Sequence, residues 1–350
     1  MEYIAFDSHK SYTSVEHWEA DTGKTRQYRL EHAPGAVRHA LAGCCPGTAV
    51  AIEATANWYW ITDEIEKAHC LPRLVHPRKA KLMMGQINKT DKLDTHGLNL
   101  LQRNGTLPTV WIPPGPLREL RELTRTRVVL VAQRTRWKNR ITATLAKWGL
   151  PRSEHSDPYG KKARQELQTR LECLPEQTRW ATRQMLRQLD SLSEQIREFE
   201  KRLEELVEVT PAMQWLETLP GVGVILSATI ALEIGEVGRF LSAERLASYS
   251  GTVPRVHASG DRVRYGRTRP DVNRYLKWAF AEAANSVAVN YRRLPEQHVS
   301  QLYARLRVRK GHNKAVGAVA RHLAEAAFYV LSRQHVYRDP TSKAGRTSEV

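Results

Sequence analysis

This chain is short of acid, of paired cysteine and of long apolar runs. No stretch approaches the roughly 18 uninterrupted apolar residues that a membrane-crossing helix needs. The first residues open directly on a predicted strand, without the basic and apolar regions of a signal peptide, so a cytoplasmic location is expected. The four cysteines (Cys44, Cys45, Cys70 and Cys173) form no Cys-x-x-Cys pair and no metal-ligand spacing. They read as buried or incidental thiols in a reducing compartment. Asp and Glu number 37 against 54 Lys and Arg, a net charge of +17. A field of that sign favours polyanions, and the excess is clustered, which favours nucleic acid over a merely basic soluble protein. At 350 residues and 41% hydrophobic, the chain has room for two or three globular domains. Nothing repeats internally.

Residues 1–112 read as strands and helices in α/β order. Tyr3–Asp7 is a short apolar strand, and Thr13–Glu19 and Thr25–Leu30 flank an Asp-Thr-Gly turn as a hairpin. A helix near Ala36–Leu41 leads to the strand Thr48–Glu53. A helix over Trp58–Ala68, a strand at Leu71–Val75 and a helix from Asp91 to about Gln102 complete the set. This is the order of a ribonuclease-H-like domain. Residues 113–210 follow as two long helices, one from Pro116 to about Trp148 and one over Pro175–Val207. The first is basic, with Arg125, Arg134, Arg136, Lys138 and Arg140 as nucleic-acid-binding candidates. In the second, Met185, Leu189, Leu192, Ile196, Phe199, Leu203 and Leu206 are spaced alternately by 4 and 3, a heptad seam. It predicts a coiled coil between subunits, or alternatively a helix hairpin within one chain. Residues 211–335 form a mainly helical domain, with a loop over 248–270 and helices at Pro270–Val289, Gln297–Leu306 and Asn313–Leu331. Residues 336–350 are a polar tail.

Four carboxylates stand out. Asp7 and Glu53 end two predicted strands that are otherwise apolar, where an unpaired charge is costly. Asp91 and Asp94 open a helix three residues apart, on one face. Such a set can hold Mg²⁺, with Mn²⁺ as the alternative, because hard cations take oxygen ligands and keep several waters. Two such ions about 4 Å apart stabilise both the attacking and leaving oxygens of a phosphodiester exchange. The helix dipole alone accounts for Asp91 and Asp94, but not for Asp7 or Glu53. An actin-like phosphate loop would need glycines after Asp7, and "DSHKSYTS" has none.

Two further motifs lie downstream. "LPGVG" at Leu219–Gly223, between predicted helices, matches a helix-hairpin-helix, in which Gly221 and Gly223 free backbone amides for a phosphate. The other reading is a tight interhelical turn without ligand. Ser259 sits between Ala258 and Gly260 with Arg255, Arg262, Arg264 and Arg267 nearby. A serine hydroxyl needs a base, a metal or charge stabilisation to act as a nucleophile, and guanidinium groups supply the last. By sequence alone Ser259 is an ordinary loop serine, and His257 a solvated histidine or a base. From Arg262 to Lys310 twelve basic residues meet three acids. Tyr275, Trp278, Tyr291 and Tyr303 lie among them, either as core or as stacking platforms for bases.

Together, "YIAFDSHK", "AIEATANWYW", "NKTDKLDTHGLNLL", "LPGVGVILSATIALEIGEVGRF", "LASYSGTVPRVHASG" and "NRYLKWAFAEAANS" closely resemble the DEDD transposases of the insertion-sequence one-ten family. The resemblance covers about residues 1–330. It implies a RuvC-like N-terminal domain whose metal-binding acids fall on Asp7, Glu53, Asp91 and Asp94. It also implies that Ser259 is a nucleophile forming a phosphoserine link to DNA. Further implications are a structured guide (bridge) RNA, element ends and target as DNA partners, and a homodimer pairing into a tetramer. The acids of one subunit would then be completed by the serine of another, in a bacterial cytoplasm at the nucleoid. Where many relatives carry Gly-Gly and Lys-x-Gly, this chain has Asp261 and Asp271, expected to change local contacts only. A plain RuvC-like junction endonuclease using water, and a non-catalytic nucleic-acid-binding protein, are the alternatives.

Overall fold

The computed structural model describes residues 1–85, 91–151, 153–260 and 262–340. Asn88–Thr90 of the acidic motif, Asp261 and the last ten residues of the polar tail lie outside that range. The chain divides into two compact units, Met1–Gly115 and Pro116–Val350.

The first unit is a mixed five-stranded sheet. Its strands are β1 (Glu2–Ser8), β2 (Tyr12–Glu19), β3 (Thr25–Glu31), β4 (Ala49–Glu53) and β5 (Leu71–Val75), in the order β3-β2-β1-β4-β5. β1, β2 and β3 pair antiparallel, whereas β4 runs parallel to both β1 and β5. That arrangement is consistent with a ribonuclease-H-like domain. On one face Ile4, Phe6, Val50 and Ile52 pack with Val37 and Leu41 beside α1 (Ala36–Ala40), and with Ile61 and Ile65 of α2 (Trp58–Lys67). On the other, Ala5, Ala51 and Val75 meet Ala80 of α3 (Pro77–Met84) and Leu98 and Leu101 of α4 (Asp91–Arg103). Small alanines on this face let α4 lie close. Burying side chains such as Leu98 contributes about 1.5–3 kcal/mol each. Gln102 fixes the helix by donating to the Ile4 and Ala49 carbonyls, both at 3.2 Å.

The second unit begins with α5 (Gly115–Lys147), followed by α6 (Arg164–Glu172) and α7 (Glu176–Leu206). Part of the apolar stripe of α7 packs within this chain, while Leu206 at its end is exposed. Leu186 and Leu189 pack with Ile141 and Leu145 of α5, and Leu203 with the Leu117–Leu123 stretch. Arg127 and Glu200 pair across the same two helices. The remaining helices are α8 (Pro211–Glu217), α9 (Val224–Ile234), α10 (Ala243–Tyr249), α11 (Arg274–Asn290), α12 (His298–Lys310) and α13 (His312–Ser332). They enclose a large apolar core around Phe280 and Leu323. Tyr303 is buried in that core, with Trp278 and Tyr291 packed against it, so these aromatics are mainly structural.

One expectation is corrected here. The segment expected as a loop is an antiparallel hairpin of β6 (Pro254–Ser259) and β7 (Arg262–Thr268). Alternating Val and Tyr positions support strand pairing, and the ladder needs no buried face because its backbone hydrogen bonds are satisfied in the pair. Among the described residues no helix is long and apolar enough to cross a membrane.

Candidate active site

The register of β1 and β4 aligns Phe6 with Ile52, so Asp7 and Glu53 each follow the last paired residue of neighbouring strands. Strand alternation puts both on the face of Ala5 and Ala51, the face that α4 covers. Along α4, Asp91, Asp94, Leu98 and Leu101 succeed one another at helical spacings of 3, 4 and 3. The leucines that dock the helix therefore carry the two aspartates over the carboxyl ends of β1 and β4. All four acids line one cavity of about 520 Å³, together with His9, Thr55, Arg78 and Lys81.

His9 and Tyr12 belong to this site, and sequence reasoning missed them. His9 Nε2 lies 3.1 Å from Asp7 Oδ2 and 3.3 Å from Asp91 Oδ2. The Tyr12 hydroxyl donates to Asp91 Oδ2 at 3.0 Å, and its ring stacks on His9. Asn57 holds the turn after β1 by donating to Ser8 Oγ and to the His9 carbonyl, each at 2.8 Å. Burial raises the Asp7 carboxyl above its ordinary range; His9 opposes the rise, and the charges of Asp94 and Asp91 add to it. A divalent cation would relieve that repulsion. Donor atoms of Asp7, His9 and Asp91 already lie within 4.8 Å of one another. The residues fit a hard cation.

In the second unit, Ser259 is exposed at the end of β6, paired in register with Arg262. His257 precedes it on the same strand face, and its ring lies beside Gly266. Arg262, Arg264 and Arg267 are exposed on β7, while Arg255 and His257 help line a hollow of about 280 Å³ at the hairpin base. Gly221 is explained by packing. Its φ is +79°, and a Cβ there would come 2.3 Å from the Ala283 carbonyl oxygen. Gly223 is exposed at the start of α9 with open space around it.

The basic candidates of α5 divide. Arg125 is not free to hold nucleic acid: its Nε and Nη2 donate to Glu233 Oε1 and Oε2 at 2.6 and 2.9 Å. Glu233 is fully buried, and the bidentate guanidinium is what allows a carboxylate there. Lys138 pairs with Asp157 at 3.2 Å. Arg136 and Arg140 are exposed and line a hollow of about 1200 Å³ with Trp137 and Trp148, and Arg134 is half-buried. Asp271, one of the two departures, lies 3.5 Å from Arg269.

A DEDD transposase model, described as transposase, matches residues 7–148. The model described as transposase IS116/IS110/IS902 family matches residues 213–299. The chain belongs to the IS116/IS110/IS902 transposase family. As a member it cuts and rejoins DNA, and its DEDD domain uses a divalent metal. It is 26% identical to a "Probable family 20 transposase" of Pseudomonas aeruginosa over 302 residues, 84% of this chain and 86% of that one. It is 22% identical to the transposase for insertion sequence element IS1111A of Coxiella burnetii over 267 residues, 76% and 72% of the two chains. A 72-residue stretch, 19% of this transposase and 22% of the relative, is 35% identical to a pilin gene-inverting protein of Moraxella lacunata.

Proposed function

We propose that this transposase moves its element by metal-dependent recombination in which Ser259 is the nucleophile. The observation that carries the reading is the convergence of Asp7, Glu53, Asp91 and Asp94 on one cavity. These four would hold Mg²⁺, which when bound supplies charge stabilisation to phosphate oxygens during exchange. His9 and Tyr12 orient Asp7 and Asp91. The Ser259 oxygen bonds to a DNA phosphorus while the bond from that phosphorus to a deoxyribose oxygen breaks. The serine proton leaves to solvent and the departing oxygen takes one up, giving a phosphoserine link that strand exchange then resolves. Arg255, Arg262, Arg264 and Arg267 hold the phosphates, and the exposed Gly223 amide at the start of α9 offers a further phosphate contact.

A structured guide RNA is the expected partner for the hollow at Arg136 and Arg140, beside Trp137 and Trp148. A homodimer pairing into a tetramer would complete the acids of one subunit with the serine of another. The resemblance is what supports both. The gene-inverting activity named for the Moraxella relative supports rejoining over simple cutting.

The test is an excision and insertion assay with Asp7→Ala and Ser259→Ala. Both variants are expected to lose recombination while keeping the far-ultraviolet circular dichroism of the parent. Denaturing gels should show a protein–DNA adduct that disappears with Ser259→Ala. Full activity of both variants refutes the assignment, full activity of Ser259→Ala alone refutes the serine mechanism, and nicked product without adduct indicates hydrolysis by water.

A further inference from the structure

We infer that Glu2, His17 and Cys44 form a second metal site, of the zinc type and with Cys70 close by, at the end of the sheet opposite Asp7 and Glu53. Glu2 opens β1, and its alternation with Ile4 and Phe6 turns it toward the α1 and α2 layer. His17 stands across from Ile4 in the β1–β2 ladder, so it shares that face. Cys44 lies just after α1 and Cys70 just before β5. The two loops that carry them are tied together: Gly47 N donates to the His69 carbonyl, and Leu71 N to the Thr48 carbonyl, both at 2.8 Å.

Donor atoms of Glu2, His17 and Cys44 lie within 4.8 Å of one another, and His17 Nε2 is 3.6 Å from Glu2 Oε2. That separation is close to the edge of a tetrahedron with bonds of about 2.0–2.3 Å. The second observation is polar. His17 is 8% exposed, and neither its Nε2 nor Glu2 Oε2 makes a hydrogen bond, although both atoms are buried. Buried polar atoms without hydrogen bonds are rare and call for an explanation, of which an ion is one. Burial pushes the Cys44 thiol up to about 12, and the charges of Glu2 and Cys70 push the same way. Cys70 is buried and feels the Glu2 charge as well.

The donor chemistry separates this cluster from the acid cavity. Four carboxylates suit Mg²⁺ or Mn²⁺, whereas thiolate and imidazole with one carboxylate suit Zn²⁺. Binding would deprotonate the Cys44 thiol and release its proton to solvent. The ion would pin β1, β2 and the loop leading into β4. It touches none of the residues assigned to catalysis.

The experiment is a Co²⁺ titration of the purified, reduced full-length chain, followed by displacement with Zn²⁺. About one equivalent is expected to give thiolate-to-cobalt charge-transfer absorption, abolished by stoichiometric Zn²⁺. Cys44→Ser and His17→Asn should each weaken Co²⁺ binding at least about tenfold, since losing even a group that only supports a ligand costs about that much. Cys45→Ser, Cys173→Ser and Asp7→Asn should keep the band. Absence of a thiolate band in the parent protein overturns the inference, whether or not the variants fold. So does a band that survives Cys44→Ser and Cys70→Ser together.

Discussion

Asp7 follows three residues, Ile4, Ala5 and Phe6, that are wholly buried, and its own side chain is only 14% exposed. An ionised carboxylate there is disfavoured first by burial, then by Asp94 and Asp91, with His9 acting against them. Its folded pKa therefore lies above the unfolded value near 3.8, so ionising Asp7 costs folding free energy. The cost is absent below the unfolded value, grows as pH rises through the folded value, and is fully present beyond it. In chelator, Asp7→Asn should melt at a higher temperature than the parent at neutral pH, and the gap should close on acidification. Added Mg²⁺ should reverse the order, because only the parent gains the bound ion. Thermal unfolding across pH, with and without Mg²⁺, checks both signs, and a variant less stable than the parent in chelator would contradict the electrostatic account. Asp7 and Glu53 were legible in the sequence because charge at the end of an apolar strand is conspicuous, and Asp91 and Asp94 because they share one face at a helix start. His9 and Tyr12 were not, since a polar strand end looks the same whether it faces solvent or a site. The grouping of Cys44 and Cys70 depends on two loops meeting, which no spacing along the chain reveals.

Among the elements, long periodic helices were easy to read. The periodicity predicts helices over 116–148 and 175–207, and the structure has α5 over Gly115–Lys147 and α7 over Glu176–Leu206. Short polar helices were not anticipated: α3 has one buried residue, Ala80, and α6 has two, too few to print a pattern. The β6–β7 hairpin escaped because nearly all of its positions are exposed, so no buried face prints an apolar alternation. The sequence did carry a turn signal, Gly260-Asp261 between valine-bearing runs. The glycine hairpin divides into two separable roles. Gly221→Ala must resolve both a positive φ and a Cβ at 2.3 Å from Ala283 O, a cost of about 2–4 kcal/mol. Gly223→Ala meets open space at an ordinary φ of −112° and should leave stability within about 0.5 kcal/mol. Denaturant unfolding of both variants distinguishes a packing glycine from a permissive one. Equal losses would mean that the close approach to α11 is not what requires Gly221.

Over the whole molecule the charge is unevenly shared. Residues 1–115 carry 13 Lys and Arg against 12 Asp and Glu, so +16 of the net +17 falls on residues 116–350. The acid-bearing unit is nearly neutral, which keeps a carboxylate site from being swamped by neighbouring cations; the second unit carries the polyanion affinity. Within that unit not every arginine is available. Arg121 and Arg125 are committed to Glu233 and the carbonyls around it, and Arg127 to Glu200. Those on β7 stand in solvent. Each phosphate contact contributes about −0.9 to the slope of log K against log salt on B-form DNA. Replacing Arg262, Arg264 and Arg267 together by alanine should therefore flatten that slope by up to about 3, and to the same extent on unrelated sequences. Arg127→Ala should leave the slope unchanged, because its guanidinium is already held by Glu200. Binding titrations of duplex DNA across a salt series measure both. A slope untouched by the triple replacement would show that the exposed hairpin does not hold the DNA backbone.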